Sequence, residues 1–141
     1  MRGGTANCTV MVSSKEIPSP ITSKPDTLIV MNQPSLDKFQ YSVKEGGTIY
    51  INSSLVGDVD IRTDLTVIKI PANQMAIQLG SSKVANMLML GAYIAENDFM
   101  NLETAKAALV RVLSEKKHNL IEINEKALAK GNRFFLDFNQ G

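Results

Sequence analysis

The chain has no tryptophan, one cysteine and one histidine in 141 residues. A single thiol closes no disulfide within the chain, and one thiol with one imidazole builds no zinc or iron–sulfur site. Net charge is scarce too. Fifteen basic side chains against 14 acidic ones leave +1, which argues against nucleic acid or an anionic membrane as the main partner. No apolar run reaches the roughly 20 residues a bilayer span needs; the most apolar segment is "VANMLMLGAYIA" (84–95). No basic stretch leads into an apolar one at the start, so no secretory signal is read and a cytoplasmic setting is expected. What remains is ordinary globular composition, 44% hydrophobic, enough for one domain with one core over residues 1–141.

Residues 6–13, "ANCTVMVS", place Cys8, Val10 and Val12 at period two and read as a half-buried strand, with Cys8 a small buried hydrophobe. "DTLIVMN" (26–32) is a continuous apolar run, as expected of a strand covered on both faces. Pro34 breaks it, Ser35 offers a cap, and Leu36, Phe39, Tyr41 and Val43 outline a short amphipathic helix. The turn "KEGG" leads to "TIYIN" (48–52), so strand, helix, turn and strand make a small βαβ unit with a parallel pair. A further strand, "LTVIKIP" (65–71), precedes a short helix closed by Gly80 and the apolar helix 83–96. That helix is apolar almost all round, so it belongs either in a layer covering the sheet or in a subunit interface. Asn101 caps a helix over 101–117, a last helix ends at Gly131, and the tail "NRFFLDFNQG" brings three phenylalanines that should pack against something.

The expected class is α/β: a Rossmann-like three-layer sandwich with a mostly parallel sheet and helices on both faces. Such sheets hold ligands just beyond the carboxyl ends of their strands, and three polar clusters fall there. They are "RGGT" at 2–5 (Arg2, Gly3, Gly4 and Thr5) with Asn7; "NQP" at 32–34, with Asn32 and Gln33; and "NSS" at 52–54, with Asn52 and Ser53. The glycines offer unhindered N–H donors, and the arginine offers a fork for phosphate or carboxylate. Asn, Gln and Ser orient a polar ligand, and none is an acid or base near neutral pH, so the set grips without transferring protons. Each of these residues also has a plain turn or capping reading. His118 reads as a surface or capping histidine, and Asn86 as a core hydrogen-bonding group. No GxGxxG follows a strand, which weakens a nicotinamide-binding reading.

The strings "RGGT", "MNQP" with a following "DKF", "NSSL" and "VANMLMLGA", in this order and spacing, are collectively specific. The chain resembles, over residues 1–131, the gamma subunit of the 2-oxoacid:ferredoxin oxidoreductases of the pyruvate, 2-oxoglutarate and 2-oxoisovalerate type. The resemblance implies one subunit of an enzyme converting a 2-oxoacid and coenzyme A to acyl-CoA and carbon dioxide, with electrons passing to ferredoxin. It implies thiamine diphosphate and magnesium between alpha and beta type subunits, and iron–sulfur clusters on a ferredoxin-like delta type subunit. No cofactor is expected on this chain alone. Its part would be to bind or position coenzyme A as co-substrate, with Arg2, Gly3, Gly4 and Thr5 near the phosphates and Asn32 and Asn52 lining the same crevice. The family's gamma unit places a strand, a GxGGQG turn and a helix ahead of the "RGG" loop. The opening "MRGGTANCTV" looks like the inside of a βα loop, so a domain lacking that first strand–turn–helix is expected. Its sheet edges would then be open and could pair isolated chains as a homodimer. The alternative is a structural assembly module with no ligand of its own.

Overall fold

The computed structural model describes residues 7–12, 15–16, 24–58, 60–97 and 100–140, with residues 139 and 140 described by backbone alone. Among them lie three strands, β1 (Thr27–Val30), β2 (Thr48–Asn52) and β3 (Thr66–Ile70), paired in parallel in the order β1-β2-β3. Five α-helices accompany them: α1 (Gln33–Phe39), α2 (Ala72–Leu79), α3 (Ala85–Glu96), α4 (Leu102–Val112) and α5 (Ile121–Gln140). The α/β architecture is therefore as expected. Register pairs Thr27 with Thr48 and Thr48 with Thr66, so the three strands end level and their carboxyl tips lie side by side.

Alternation along β2 divides its side chains between two cores. Ile49 and Ile51 turn toward α1 and the 3₁₀ turn that follows it, packing with Val30, Leu36 and Val43. Tyr50 turns the other way, with Ile68 and Ile70, onto Met75 and Ala76 of α2, Leu88, Met89 and Ala92 of α3, and Ala127 and Phe135 of α5. Helices thus cover both faces. The apolar helix α3 takes the first of its two expected places: one side lies on the sheet core, and its Ile94 joins Ala105, Leu109 and Leu128 against α4 and α5.

Local signals account for most boundaries. Asn32, extended at φ −149°, caps α1 by accepting the Ser35 N–H at 3.1 Å. Ser35 is therefore the capped residue and not the cap, and Pro34 sits harmlessly in the first turn, where an N–H would have no partner. Gly80, at φ +109°, closes α2, its N–H reaching Ile77 O while the Ser81 N–H reaches Ala76 O. Asn101 caps α4 through the Thr104 N–H at 2.8 Å.

Further expectations fail for physical reasons. The alternation expected as a strand over 6–13 forms none at 7–12, the part of it that is described: Val10 is 78% and Val12 63% exposed, and Cys8 is an exposed free thiol. A period of two makes a strand only when a neighbour supplies the ladder. The helix expected over 101–117 stops at Val112, because Leu113 and Ser114 are extended, and residues 115–120 form a 3₁₀ turn. His118 reaches back to the carbonyls of Leu113 at 3.2 Å and Val110 at 3.3 Å, the capping role expected of it. Asn86 is exposed and accepts only the adjacent Met87 N–H, at 2.9 Å, so it is no core group.

The largest departure is Gly131, which does not end the last helix. α5 runs through it to Gln140. The glycine is there for contact: a Cβ at Gly131 would lie 1.9 Å from Leu88 O, and one at Gly91 would lie 2.1 Å from Leu128 O. Two glycines, one on each helix, let the backbones of α3 and α5 touch, and Asn132 Nδ2 seals the crossing by donating to Gly91 O at 3.2 Å. The continued helix carries Phe135 into the core, leaves Phe134 half-buried, and stacks Phe138 on Phe134 at 6.3 Å between ring centroids.

Candidate functional site

The three level strand tips bring the segments 31–33, 52–54 and 71–74 to one edge of the sheet, and one side chain binds them together. Asn52, the last residue of β2, is fully buried. Its Oδ1 accepts the Ala72 N–H at 3.1 Å and the Ser54 N–H at 3.3 Å. Its Nδ2 donates to Met31 O at 3.2 Å and to Asn73 Oδ1 at 2.8 Å. The amide thus touches the ends of all three strands, and burial without solvent is affordable because every polar valence is used. Beside it the Ser54 Oγ accepts the Gln74 N–H at 3.2 Å. α2 has Pro71 at its cap position and no local side-chain cap. Asn52 and Ser54, twenty residues earlier in the chain, supply the missing acceptors.

Around this buried tie, Asn32 is exposed at the α1 cap and Gln33 donates to Asp37 Oδ1 at 3.0 Å. Ser53 is half-buried, with its backbone N–H on Ile70 O at 2.8 Å. Of the residues singled out in the sequence, Asn32, Gln33, Asn52 and Ser53 are therefore brought together. Asn52 serves from beneath, as a buried tie. Asn7 is exposed, and no hydrogen bond among the described residues joins it to the group. Arg2, Gly3, Gly4 and Thr5 lie outside the described residues.

Sequence reasoning included Ser54 only as part of the 52–54 cluster, and missed Asn73 and Gln74. The signal was present: "PANQ" follows a strand just as "MNQP" and "NSSL" do, and the strand-end rule that selected Asn32 and Asn52 applies equally to Asn73. Reading "ANQMAIQLG" only as a helix hid it.

The chemistry available at this edge is that of amides and hydroxyls. No cluster of three or more His, Cys, Asp or Glu side chains suited to a metal ion occurs among the described residues. The perturbed carboxyl and phenol groups lie apart from it. Burial pushes the Glu96 carboxyl up from its ordinary value, and this group, at the end of α3, accepts the hydroxyl of the fully buried Tyr50. Tyr93, edge-on to Tyr50 at 5.8 Å, is raised by burial and then by the charge of Asp26. Asp64 is lowered chiefly by its hydrogen bonds from Arg62, whose guanidinium also holds the carbonyls of Gln40 and Val43. Two cavities lie among the helices instead. One of about 460 Å³ is walled by the α3 end, the α4 start and α5. An apolar one of about 210 Å³ lies between α3, α4 and Leu128. No helix among the described residues is long and apolar enough to cross a membrane.

Comparison with known proteins gives concordant matches. The family model described as pyruvate ferredoxin/flavodoxin oxidoreductase matches residues 1–134. The ketoisovalerate oxidoreductase subunit VorA of Methanothermobacter marburgensis is 35% identical over 92% of this chain, which spans 27% of that subunit. The 2-oxoglutarate synthase subunit KorC of Methanocaldococcus jannaschii is 32% identical over 92% of this chain and 69% of its own length. Among solved structures, the gamma subunit of a keto/oxoacid ferredoxin oxidoreductase from Geobacter sulfurreducens aligns with a TM-score of 0.71. It is 27% identical, over 79% of this chain and 64% of that one.

Proposed function

Because the chain belongs to the pyruvate ferredoxin/flavodoxin oxidoreductase family, we propose that it is the gamma unit of a thiamine diphosphate-dependent 2-oxoacid:ferredoxin oxidoreductase. It works in the cytoplasm with alpha, beta and ferredoxin-like delta type subunits, which carry the thiamine diphosphate, magnesium and iron–sulfur clusters. The complete enzyme turns a 2-oxoacid, coenzyme A and oxidised ferredoxin into acyl-CoA, carbon dioxide and reduced ferredoxin. This chain's share is to receive and position coenzyme A, a ligand rich in phosphate and carbonyl oxygens.

One observation carries that division of labour. The strand tips converge on neutral amides and hydroxyls knit together by Asn52, the nearby Asp37 carboxylate is held by Gln33, and no cluster of three or more His, Cys, Asp or Glu side chains suited to a metal occurs among the described residues. Such an edge grips polar oxygens and leaves bond-breaking to other subunits. Arg2, Gly3, Gly4 and Thr5 are proposed to approach the phosphates, with Asn7, Asn32, Gln33 and Ser53 at the rim and Asn52 beneath.

The test is calorimetric titration of coenzyme A onto the assembled complex, wild type against Arg2→Ala and against complex lacking this chain. Affinity should fall in both comparisons. Equal affinity in all three would leave the chain with assembly alone. That second reading draws on exposed apolar side chains around the smaller cavity, Leu90 and Val112, with Val110 nearby on α4.

A further inference from the structure

We propose that Asn73 is a ligand-contacting donor of this site and that Asn52 is the positioning residue that fixes which end of its amide faces outward. The inference rests on the strand-end edge being where coenzyme A is received.

It follows from the polarity of one hydrogen-bonded chain. Backbone N–H groups only donate, so the Asn52 atom that meets Ala72 N and Ser54 N must be the oxygen. The Asn52 nitrogen is then turned to Met31 O, a carbonyl that only accepts, and to Asn73. Asn73 has to answer with its own oxygen, at 2.8 Å. Both N–H bonds of Asn73 Nδ2 therefore point away from Asn52, and they meet no other partner among the described residues, on a side chain that is half-buried. An asparagine on a free surface rotates to suit donor or acceptor alike. This one does not, because turning it over would set two N–H groups against each other inside the fold and leave a buried donor unpaired. The edge thus presents a donor of fixed sense, selective for an acceptor oxygen. Coenzyme A offers its strongest acceptor oxygens in two places, the phosphates of its nucleotide end and the amide carbonyls of its pantetheine arm.

The experiment is steady-state kinetics of the assembled enzyme with coenzyme A varied, alongside thermal unfolding. Asn73→Asp keeps the bond from Asn52 and removes the outward donor. The KM for coenzyme A should rise about tenfold or more, with kcat, the KM for the 2-oxoacid and Tm little changed. Asn73→Thr, whose hydroxyl accepts from Asn52 while donating outward, should recover part of the loss. Repeating the series with pantetheine separates the two ends: a matching defect places the acceptor on the pantetheine arm, and no defect places it on the phosphate-bearing nucleotide end. Asn52→Asp, which can no longer donate to Asn73, should reproduce the KM defect if it folds. An unchanged KM for coenzyme A in both Asn73→Asp and Asn73→Ala, in complexes of normal Tm, overturns the inference. The broader reading fails separately, when complex without this chain binds coenzyme A as tightly as the complete one.

Discussion

Replacing Gly131 by alanine sets two effects of opposite sign against each other. The residue lies inside α5, where exchange of glycine for alanine favours the helix by about 0.8–1 kcal/mol. The added Cβ, however, would stand 1.9 Å from Leu88 O and 2.7 Å from Leu88 C, both backbone atoms that no rotamer change can move aside. Reaching ordinary contact from 1.9 Å needs roughly 1.5–2 Å of separation between α3 and α5. A radial gap of about 1 Å forfeits up to half of the dispersion attraction along the opened seam. That seam holds Leu88, Met89, Ala92, Ala127 and Leu128, all nearly inaccessible to solvent. Overpacking of this kind costs about 1–3 kcal/mol and sometimes more. With backbone on both sides the upper end applies, for a net loss of about 2 kcal/mol after the propensity gain. In a domain of this size that lowers Tm by about 6–10 °C. Thermal unfolding followed by circular dichroism measures it, with Gly57→Ala, which meets nothing within 4 Å, as control. A Gly131→Ala protein as stable as wild type, or more so, would refute the close crossing.

Three further outcomes are expected. Asn101→Ala removes the acceptor for the Thr104 N–H and should cost about 1 kcal/mol in urea unfolding, an effect that Asn101→Ser should largely avoid. Glu96 is held above its ordinary value by burial. Its contribution is full below the unfolded value and lost as pH rises through the folded one. The stability of wild type relative to Glu96→Gln should therefore decline with rising pH across the acid range, and a flat difference would count against the raised carboxyl. Asp64 is shifted the other way by Arg62. Its contribution is present above the unfolded value and lost as pH falls through the folded one, and Arg62→Ala should abolish that acid-side loss.

What could be read beforehand divides by the range of the interaction. Strands at 27–30, 48–52 and 66–70, the Asn101 cap and the Gly80 terminator follow from neighbours within a few positions. Two of the departures turn on distant partners. Gly131 carries the local mark of a terminator, and only the approach of Leu88, on another helix, makes it an interior residue. The alternation at 7–12 has the rhythm of a strand without the neighbour to make one. The site was half legible for the same reason. Strand-end logic found Asn32, Asn52 and Ser53, but burial of the Asn52 amide under Met31, Ala72 and Asn73 is a tertiary fact, and the outward role of Asn73 follows only from that burial.

The borrowed cap of α2 has a consequence for how the molecule breathes. A helix that carries its own cap can fray and re-form as a local event. The opening turn of α2 draws its acceptors from the segment after β2, so those amides stay shielded from exchange only while the two segments remain docked. Deuterium uptake at Ala72 and Gln74 should therefore follow the opening of the 52–54 bend rather than the fraying of α2, and should report on whatever settles against that edge of the sheet.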